Sequence, residues 1–526
     1  MSGEAGKQEQ WKPRYNPWLV AVTVTLGAFM EVLDTTIVNV SLPHIAGSLS
    51  VSPDEATWTL TTYLVANGIV LTISGALSRR FGRKRYFLAC LGGFTICSLG
   101  CGISTEFWQI LLFRGLQGLC GGGLQPTQQA IILDNFPPEK RSAAFAVTAV
   151  AIVIAPVLGP MVGGWLTDTY SWHWIFLINL PIGAFTILGV LQVVEDPPSV
   201  AEEKRKAGRF DYIGVGFIAL ALCGLEIAVD RGEDYDWFGS DFVRITALVS
   251  AIGFIGGISY LLYARKPIVN LRVFKDRNFA LATLGIAIMG FVLYASAVLI
   301  PQFSQQQLGY TATWAGFLLT PGAVVLAFLI PAVGRVSAFF PTKYTIAVGG
   351  LALGLALFYS SGLTPDIDFT ELAVMRAAQT VGLAFLFAPL STVAFSTLPK
   401  ELNSDATALF TMARNVMGGI GISVSTALIT DHMQIRQAHM VEHLTPVNEP
   451  YNVTLQEISR ALVGSGYSAA QASGMAASQV FQMLRQQAAV LAYSDVFVIT
   501  GIIAFAIIPA ALCMAGTKGQ GGGAAG

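Results

Sequence analysis

The 526 residues would suffice for two or three soluble domains, yet 53% are hydrophobic, 12% are charged and the mean hydropathy is +0.60. Soluble domains carry about 25% charged residues; half that share cannot cover a water-exposed surface, so the chain belongs in a bilayer. The formal net charge of −1 excludes bulk electrostatic attraction to nucleic acid or to a strongly charged partner.

Segment 1–16 is polar and mildly basic and lacks the apolar core and small-residue cleavage site of a signal peptide, so the first apolar run is expected to remain as an anchor. A membrane helix needs about 20 mainly apolar residues. Fourteen segments qualify, at about 17–42, 57–77, 86–104, 107–132, 142–166, 174–194, 211–229, 243–263, 278–300, 313–334, 343–361, 371–396, 405–430 and 489–515. Lysine and arginine set their orientation. With the N-terminus inside, 23 of the 31 basic residues fall in cytoplasmic segments, and only Arg231, Arg244, Arg436, Arg460 and Arg485 lie outside. Both termini are therefore expected in the cytoplasm. Arg114, Arg376 and Arg414 lie within helices, where charge is costly and marks functional candidates.

Two stretches repeat. Trp58 to Arg79 and Trp314 to Arg335 both span 21 residues, and Arg114-x-x-Gln117 and Arg376-x-x-Gln379 are each followed, 23 residues after the arginine, by Pro137 or Pro399. The expected organisation is an all-α membrane protein of two six-helix halves, 17–195 and 278–516. Between them, 196–277 forms a cytoplasmic linker with two inserted helices, and 517–526 is a Gly-rich cytoplasmic tail. Parallel repeats with a site between them suit alternating access.

Along the first helix, Glu31 and Asp34 stand three apart on one face. A structural ion pair with a nearby arginine and a titrating coupling group both fit carboxylates at this depth. Asp34 falls about eight residues below the outer end of its helix and Arg114 about seven below the same surface. At ~1.5 Å per residue both lie ~10–12 Å deep, so a contact between them is plausible.

The turn Gly75-Ala-Leu77-Ser-Arg79-Arg80-Phe-Gly82-Arg83-Lys84 joins the second and third helices; its charges read simply as positive-inside. In the fourth helix, Gln117, Gly118 and Gly121 follow Arg114. Pro156, Gly159, Pro160, Gly163 and Gly164 make the fifth a kinked, closely approached interface rather than a chemical site. His173, between Trp172 and Trp174, reads as part of an interfacial aromatic belt. The inserted pair, 211–263, has Glu226 as its one deep acid and is expected at the periphery, since both repeats look complete without it.

The external segment 431–488 is long for a connection. Thr454 and Ser468 are expected N-caps of helices forming a short folded cap. Six cysteines, Cys90, Cys97, Cys101, Cys120, Cys223 and Cys513, sit in apolar runs and read as inert thiols. No phosphate loop or paired-histidine spacing suggests ATP hydrolysis or a metal. Phe29, Met30, Tyr63, Phe291, Tyr294, Gln379 and Phe385 are candidates for a substrate cavity of adaptable aromatics, Met and amides, and helix packing explains most of those aromatics equally well.

The motif order resembles the 14-helix drug/proton antiporters of the major facilitator superfamily, the EmrB/QacA type. The carriers are Leu33 to Pro43, Arg114 to Gly121, Pro156 to Gly164, Trp172 to Gly183, Val273 to Phe279 and Gly309 to Gly316. The long external loop and Gly-rich tail place the chain nearest the EmrB side of that branch.

The resemblance implies proton-driven efflux of hydrophobic or cationic compounds, with protons as coupling ion and no cofactor. It also implies a multi-pass protein of the bacterial inner membrane, acting with a periplasmic adaptor and an outer-membrane channel. Asp34, Glu31 and Arg114 would couple the proton. Export or facilitated passage of one specific metabolite is the alternative. One departure counts: the superfamily has an acid two residues after the Leu of the turn motif, where this chain has Arg79, so the charge lock built on that acid is in doubt.

Overall fold

The computed structural model describes residues 14–206, 210–233, 235–264, 267–399, 402–445 and 447–515. The tail expected at 517–526, and most of the one at 1–16, lie outside these residues.

All longer elements are helical. The first half comprises α1 (Pro17–Leu49), α2 (Pro53–Phe81), α3 (Arg83–Gly102), α4 (Phe107–Gly121), α5 (Leu124–Asn135), α6 (Pro138–Thr169), α7 (Trp174–Leu177) and α8 (Asn179–Val193). A short α9 (Pro198–Lys206) precedes the inserted α10 (Tyr212–Asp230) and α11 (Asp241–Tyr263). The second half comprises α12 (Arg277–Leu308), α13 (Ala312–Phe339), α14 (Thr342–Ser360), α15 (Phe369–Ala384), α16 (Phe387–Ala394), α17 (Asn403–Val441), α18 (Glu449–Gly464), α19 (Ala469–Phe505) and α20 (Ile507–Leu512).

Among the described residues, twelve helices are long and apolar enough to cross a membrane, or thirteen if the bent α6 is one span. The segment expected at 107–132 does not pass as a single helix. It divides into α4 and α5 at Gly122 and Gly123, and each of these glycines lies too close to another chain element for a side chain: a Cβ on Gly122 would stand 2.3 Å from the Asn67 carbonyl oxygen. A count of fourteen therefore depends on joining the two pieces. In α6, Pro156 and Pro160 lie inside the helix and the axis bends by 40° between Pro156 and Leu158, as prolines that remove ladder hydrogen bonds require.

The helices interlock through small residues. Gly159 and Gly163 seat α6 against Thr36 and Ile37 of α1, where added Cβ atoms would lie 2.2 Å and 2.7 Å from those side chains. Gly164 is buried on the same helix. Gly118 brings α4 onto the backbone of α2 at Tyr63. At Gly82, φ is +89°, so the turn from α2 into α3 requires a residue without a side chain.

The two halves meet at the end of the bundle that carries this turn. Gly75 of α2 packs on the Ser404 backbone at the start of α17. Arg79 Nη1 lies 2.5 Å from Asp405 Oδ1. Arg83 pairs with Asp134 and donates from Nη2 to Ser404 Oγ at 3.5 Å. The turn's charges are thus not merely a solvated basic cluster. The lock doubted from the sequence exists with reversed polarity: the first half supplies the base, and the acid comes from the second half.

The inserted pair corrects another expectation. Only α11 is peripheral, presenting Ile245, Leu248, Ile252, Ile255 and Ile258 outward. α10 packs against α2 and α17 and bridges the halves. Gly224 and Gly253 let α10 and α11 touch backbone to backbone, and Asp211 ties the hairpin's base by accepting from Gly214 N, Tyr260 OH and Ile268 N.

Beyond the opposite end of the bundle, α17 continues to Val441, α18 follows and α19 begins at Ala469, so the segment 431–488 is mostly helix, as its expected caps imply. Ser468 caps α19 through a capping box with Gln471. The cap of α18 is Asn448 rather than Thr454, which lies within the helix and bonds back to the Pro450 carbonyl. An Asn accepting from the third residue of a helix satisfies an otherwise free N–H, and Glu449-Pro450 suits the first turn.

Exchanging charges across the closed end tests the lock. Arg79→Asp or Asp405→Arg alone should lower the melting temperature of the detergent-solubilised protein by the equivalent of about 1 kcal/mol, as for a partly exposed pair. The double exchange should recover most of that loss.

Candidate functional site

A buried polar centre occupies the middle of the first half. Asp34 is wholly buried and accepts from Arg114 Nη1 at 2.6 Å, Asn179 Nδ2 at 2.7 Å and Gln117 Nε2 at 3.1 Å. Arg114, also wholly buried, donates from Nη1 to Gln117 Oε1 at 2.9 Å and from Nε to the Thr59 carbonyl at 3.1 Å. The two residues placed at matching depth are in contact. The guanidinium also lies over the Tyr63 ring, 4.2 Å from its centroid.

Glu31, one helical turn away, is held separately. It accepts from Asn67 Nδ2 at 3.0 Å, from Tyr63 OH at 3.4 Å and from Gln125 Nε2. Gln125 in turn accepts from Arg414 of α17, so one amide joins the carboxylate to a cation of the opposite half. Tyr63 touches both centres, by its ring at Arg114 and by its hydroxyl at Glu31.

A cavity of about 1040 Å³, including its open mouth, lies between the halves. Glu31, Tyr63, Asn67, Gln125, Tyr294 and Asn415 line its floor, with Leu60, Leu64, Val416 and Ile422 on its walls. It extends from the polar centre toward Asn39 and Ser423, away from the end closed by Arg79 and Asp405.

Of the seven residues suggested for a cavity, Tyr63 and Tyr294 line this one. Met30 and Phe291 are buried in packing, Phe29 and Phe385 pack against the apolar core, and Gln379 is buried on Arg376 and Ser360. Sequence spacing does not tell which helical face a large side chain turns inward, and these face neighbouring helices instead. The structure brings Asp34 and Arg114 together, but Asp34 does not line the cavity; Glu31 does.

Sequence reasoning missed Asn67, Gln125 and Asn179. Their signal was available as amides inside apolar runs, Gln125 and Gln128 standing on one face of α5 with Gln117 a short way before them.

The second half repeats the arrangement without the acid. Arg376 Nη1 donates to Gln379 Oε1 at 3.1 Å, as Arg114 does to Gln117, but its other partner is Ser296 Oγ at 2.8 Å. One offset of 262 residues relates Arg114 to Arg376, Gln117 to Gln379 and Asp34 to Ser296. The carboxylate chemistry of this pseudo-symmetric pair is confined to the first half.

The sequence profile described as "Major Facilitator Superfamily" matches residues 24–422. The chain belongs to the major facilitator superfamily. Among relatives of this superfamily member is the "Multidrug export protein EmrB" of Escherichia coli (strain K12), 33% identical over 98% of this chain and 100% of that protein. Another is the "Fatty acid resistance protein FarB" of Neisseria gonorrhoeae, 33% identical over 93% of this chain and 95% of that one. Among solved structures, a bacterial homologue of the human lysosomal transporter Spinster, in an inward-facing and occupied conformation, superposes with a TM-score of 0.54 at 19% identity, over 95% of this chain and 98% of that one. That last likeness speaks to the fold. As a member of this superfamily the chain is a multi-span membrane transporter and not an enzyme.

A double-mutant cycle reads the buried pair. Arg114→Ala leaves Asp34 buried without its cation and should cost about 3–5 kcal/mol of stability. Adding Asp34→Asn should restore part of the loss, because Asn179 and Gln117 can still donate to the remaining carbonyl oxygen. Thermal unfolding of the three variants in detergent measures the coupling.

Proposed function

We propose that this transporter exports hydrophobic and cationic compounds from a bacterial cytoplasm across the inner membrane by alternating access, driven by inward proton flow. The observation that carries this reading is the division of labour between two carboxylates on one helix. Asp34 is sequestered on Arg114, while Glu31 lines the cavity, and Tyr63 touches both sides. The kinship with multidrug export proteins supports it.

In this reading both termini and the end closed by Arg79 and Asp405 face the cytoplasm, and the cavity faces outward, ready for release and proton entry. A proton on Asp34 discharges the group that holds Arg114 Nη1, so the guanidinium keeps Thr59 and Gln117 but loses its strongest partner. Its shift alters the face it presents to Tyr63, and Tyr63 shares the Glu31 carboxylate with the cavity. Through these contacts, protonation weakens the hold on a positively charged cargo, and a bound cargo opposes protonation. The two ligands compete through linkage. Cavity carboxylates also oppose fatty-acid anions as cargo, whatever the gonococcal relative confers.

The external helices form the docking surface for a periplasmic adaptor that leads to an outer-membrane channel. Val447, Val453, Val463, Tyr467, Phe481 and Met483 are exposed on α18, on the first part of α19 and on the turns before each. Exposed apolar groups grouped in this way mark a partner surface.

Three outcomes follow. In cells lacking their own pumps, an uncoupler should abolish efflux; persistence would favour facilitated passage of a metabolite. Drug-induced proton release from purified protein should vanish in Asp34→Asn while drug binding is retained in part, and undiminished release would remove Asp34 from the mechanism. Replacing residues 440–485 by a short linker should leave transport in reconstituted vesicles but remove whole-cell resistance; loss of both would give the segment a folding role.

A further inference from the structure

The inserted helix α10 places Leu222, Glu226 and Asp230 on the wall of the cavity. Three carboxylates therefore face it, and they differ in what holds them. Glu31 accepts from Asn67, Tyr63 and Gln125. Asp230 accepts from Thr61 Oγ1 and lies 3.9 Å from Arg231 Nε, whose guanidinium is itself seated over Trp58. Glu226, half-buried on the cavity wall, makes no hydrogen bond or ion pair with any described residue.

The opposite wall keeps space for it. Gly419 of α17 faces Glu226, and a Cβ there would stand 3.1 Å from its Oε1. Leu60, Leu64, Val416 and Ile422 add apolar surface to the same cavity, so a charge held between these walls is screened less than in bulk water.

We infer that Glu226 is a specificity-determining residue, through which the inserted helix selects substrates carrying a second positive charge while Glu31 takes the first. The physical argument is compensation. With Asp230 answered by Arg231 beside it, a monocation neutralises either Glu31 or Glu226 and leaves the other uncompensated; an elongated dication with an aromatic body answers both. Tyr63 and Tyr294 supply faces for that body. Because Glu31 and Glu226 lie on different helices, α1 and α10, the wall made by the insertion becomes part of the recognition surface rather than a filler between halves.

The inference rests on the reading of this chain as a cation exporter, and equilibrium binding separates the two. Ethidium carries one fixed charge; propidium carries the same ring system and a second, quaternary ammonium charge. Both would be titrated against purified protein in lipid nanodiscs. The wild type should prefer propidium. Glu226→Gln, which is isosteric, should lower the propidium-to-ethidium affinity ratio about tenfold, equivalent to ~1.4 kcal/mol. Glu226→Asp should recover part of the preference. Equal weakening of both dyes, an unchanged ratio, or a wild type without preference would overturn the assignment. Failure of the proton-driven reading would register elsewhere, as ethidium efflux insensitive to an uncoupler with the dye preference intact.

Discussion

The polar centre of the first half is built on the ion pair between Asp34 and Arg114. Neither partner is exposed, and in a bilayer no water can replace the bond, so each charge must find its partners in protein. That requirement dictates the surroundings. Asn179 must come from the start of α8, Gln117 from one turn along α4, and the Thr59 carbonyl from α2, which fixes four helices about a single carboxylate and its cation. The close crossing at Gly118 is the steric counterpart: it brings α4 near enough to α2 for the polar groups to meet. The second half places a hydroxyl, Ser296, where the acid stands in the first, so the buried Arg376 is held by Ser296 and Gln379 without a carboxylate.

Polarity is also what ties the halves together. At the closed end the contact is ionic, between Arg79 and Asp405. At the cavity floor it passes through an amide, Gln125, between Glu31 and Arg414. Both bridges join the first half to α17, one near its start and the other about three turns along. Motion of α17 relative to the first half must therefore break or exchange polar bonds, so two discrete arrangements are favoured over a continuum. The helix that divides at Gly122 and Gly123 carries Gln125 just past its break, at a point where the backbone can adjust.

Much of this was legible in the sequence, for identifiable reasons. Helix length and hydropathy gave the spans, because the bilayer imposes one length scale. The depth of Asp34 and Arg114 followed from counting residues from the helix ends, which needs only the rise per residue. Legibility failed where the rotation of a helix decides the outcome. Phe29, Met30, Phe291 and Phe385 have the composition of a cavity lining but turn toward packing neighbours, and Glu226 on an added helix turns toward the cavity. The reversed lock was hidden for another reason. Arg79 is read correctly as a base, but its partner Asp405 is 326 residues away, and no local pattern announces that pairing. Asn448 and Thr454 illustrate a smaller ambiguity, two capping residues six apart with the helix starting at the first.

The external helices carry a mechanical consequence. α17 and α19 run on from the bundle without a break, over 39 and 37 residues, and α18 braces α19 beyond it. At ~1.5 Å per residue each is a strut of nearly 60 Å. A strut anchored in the second half has no hinge at the membrane surface to absorb rotation, so any tilt of that half is delivered to the tip, magnified by the lever arm.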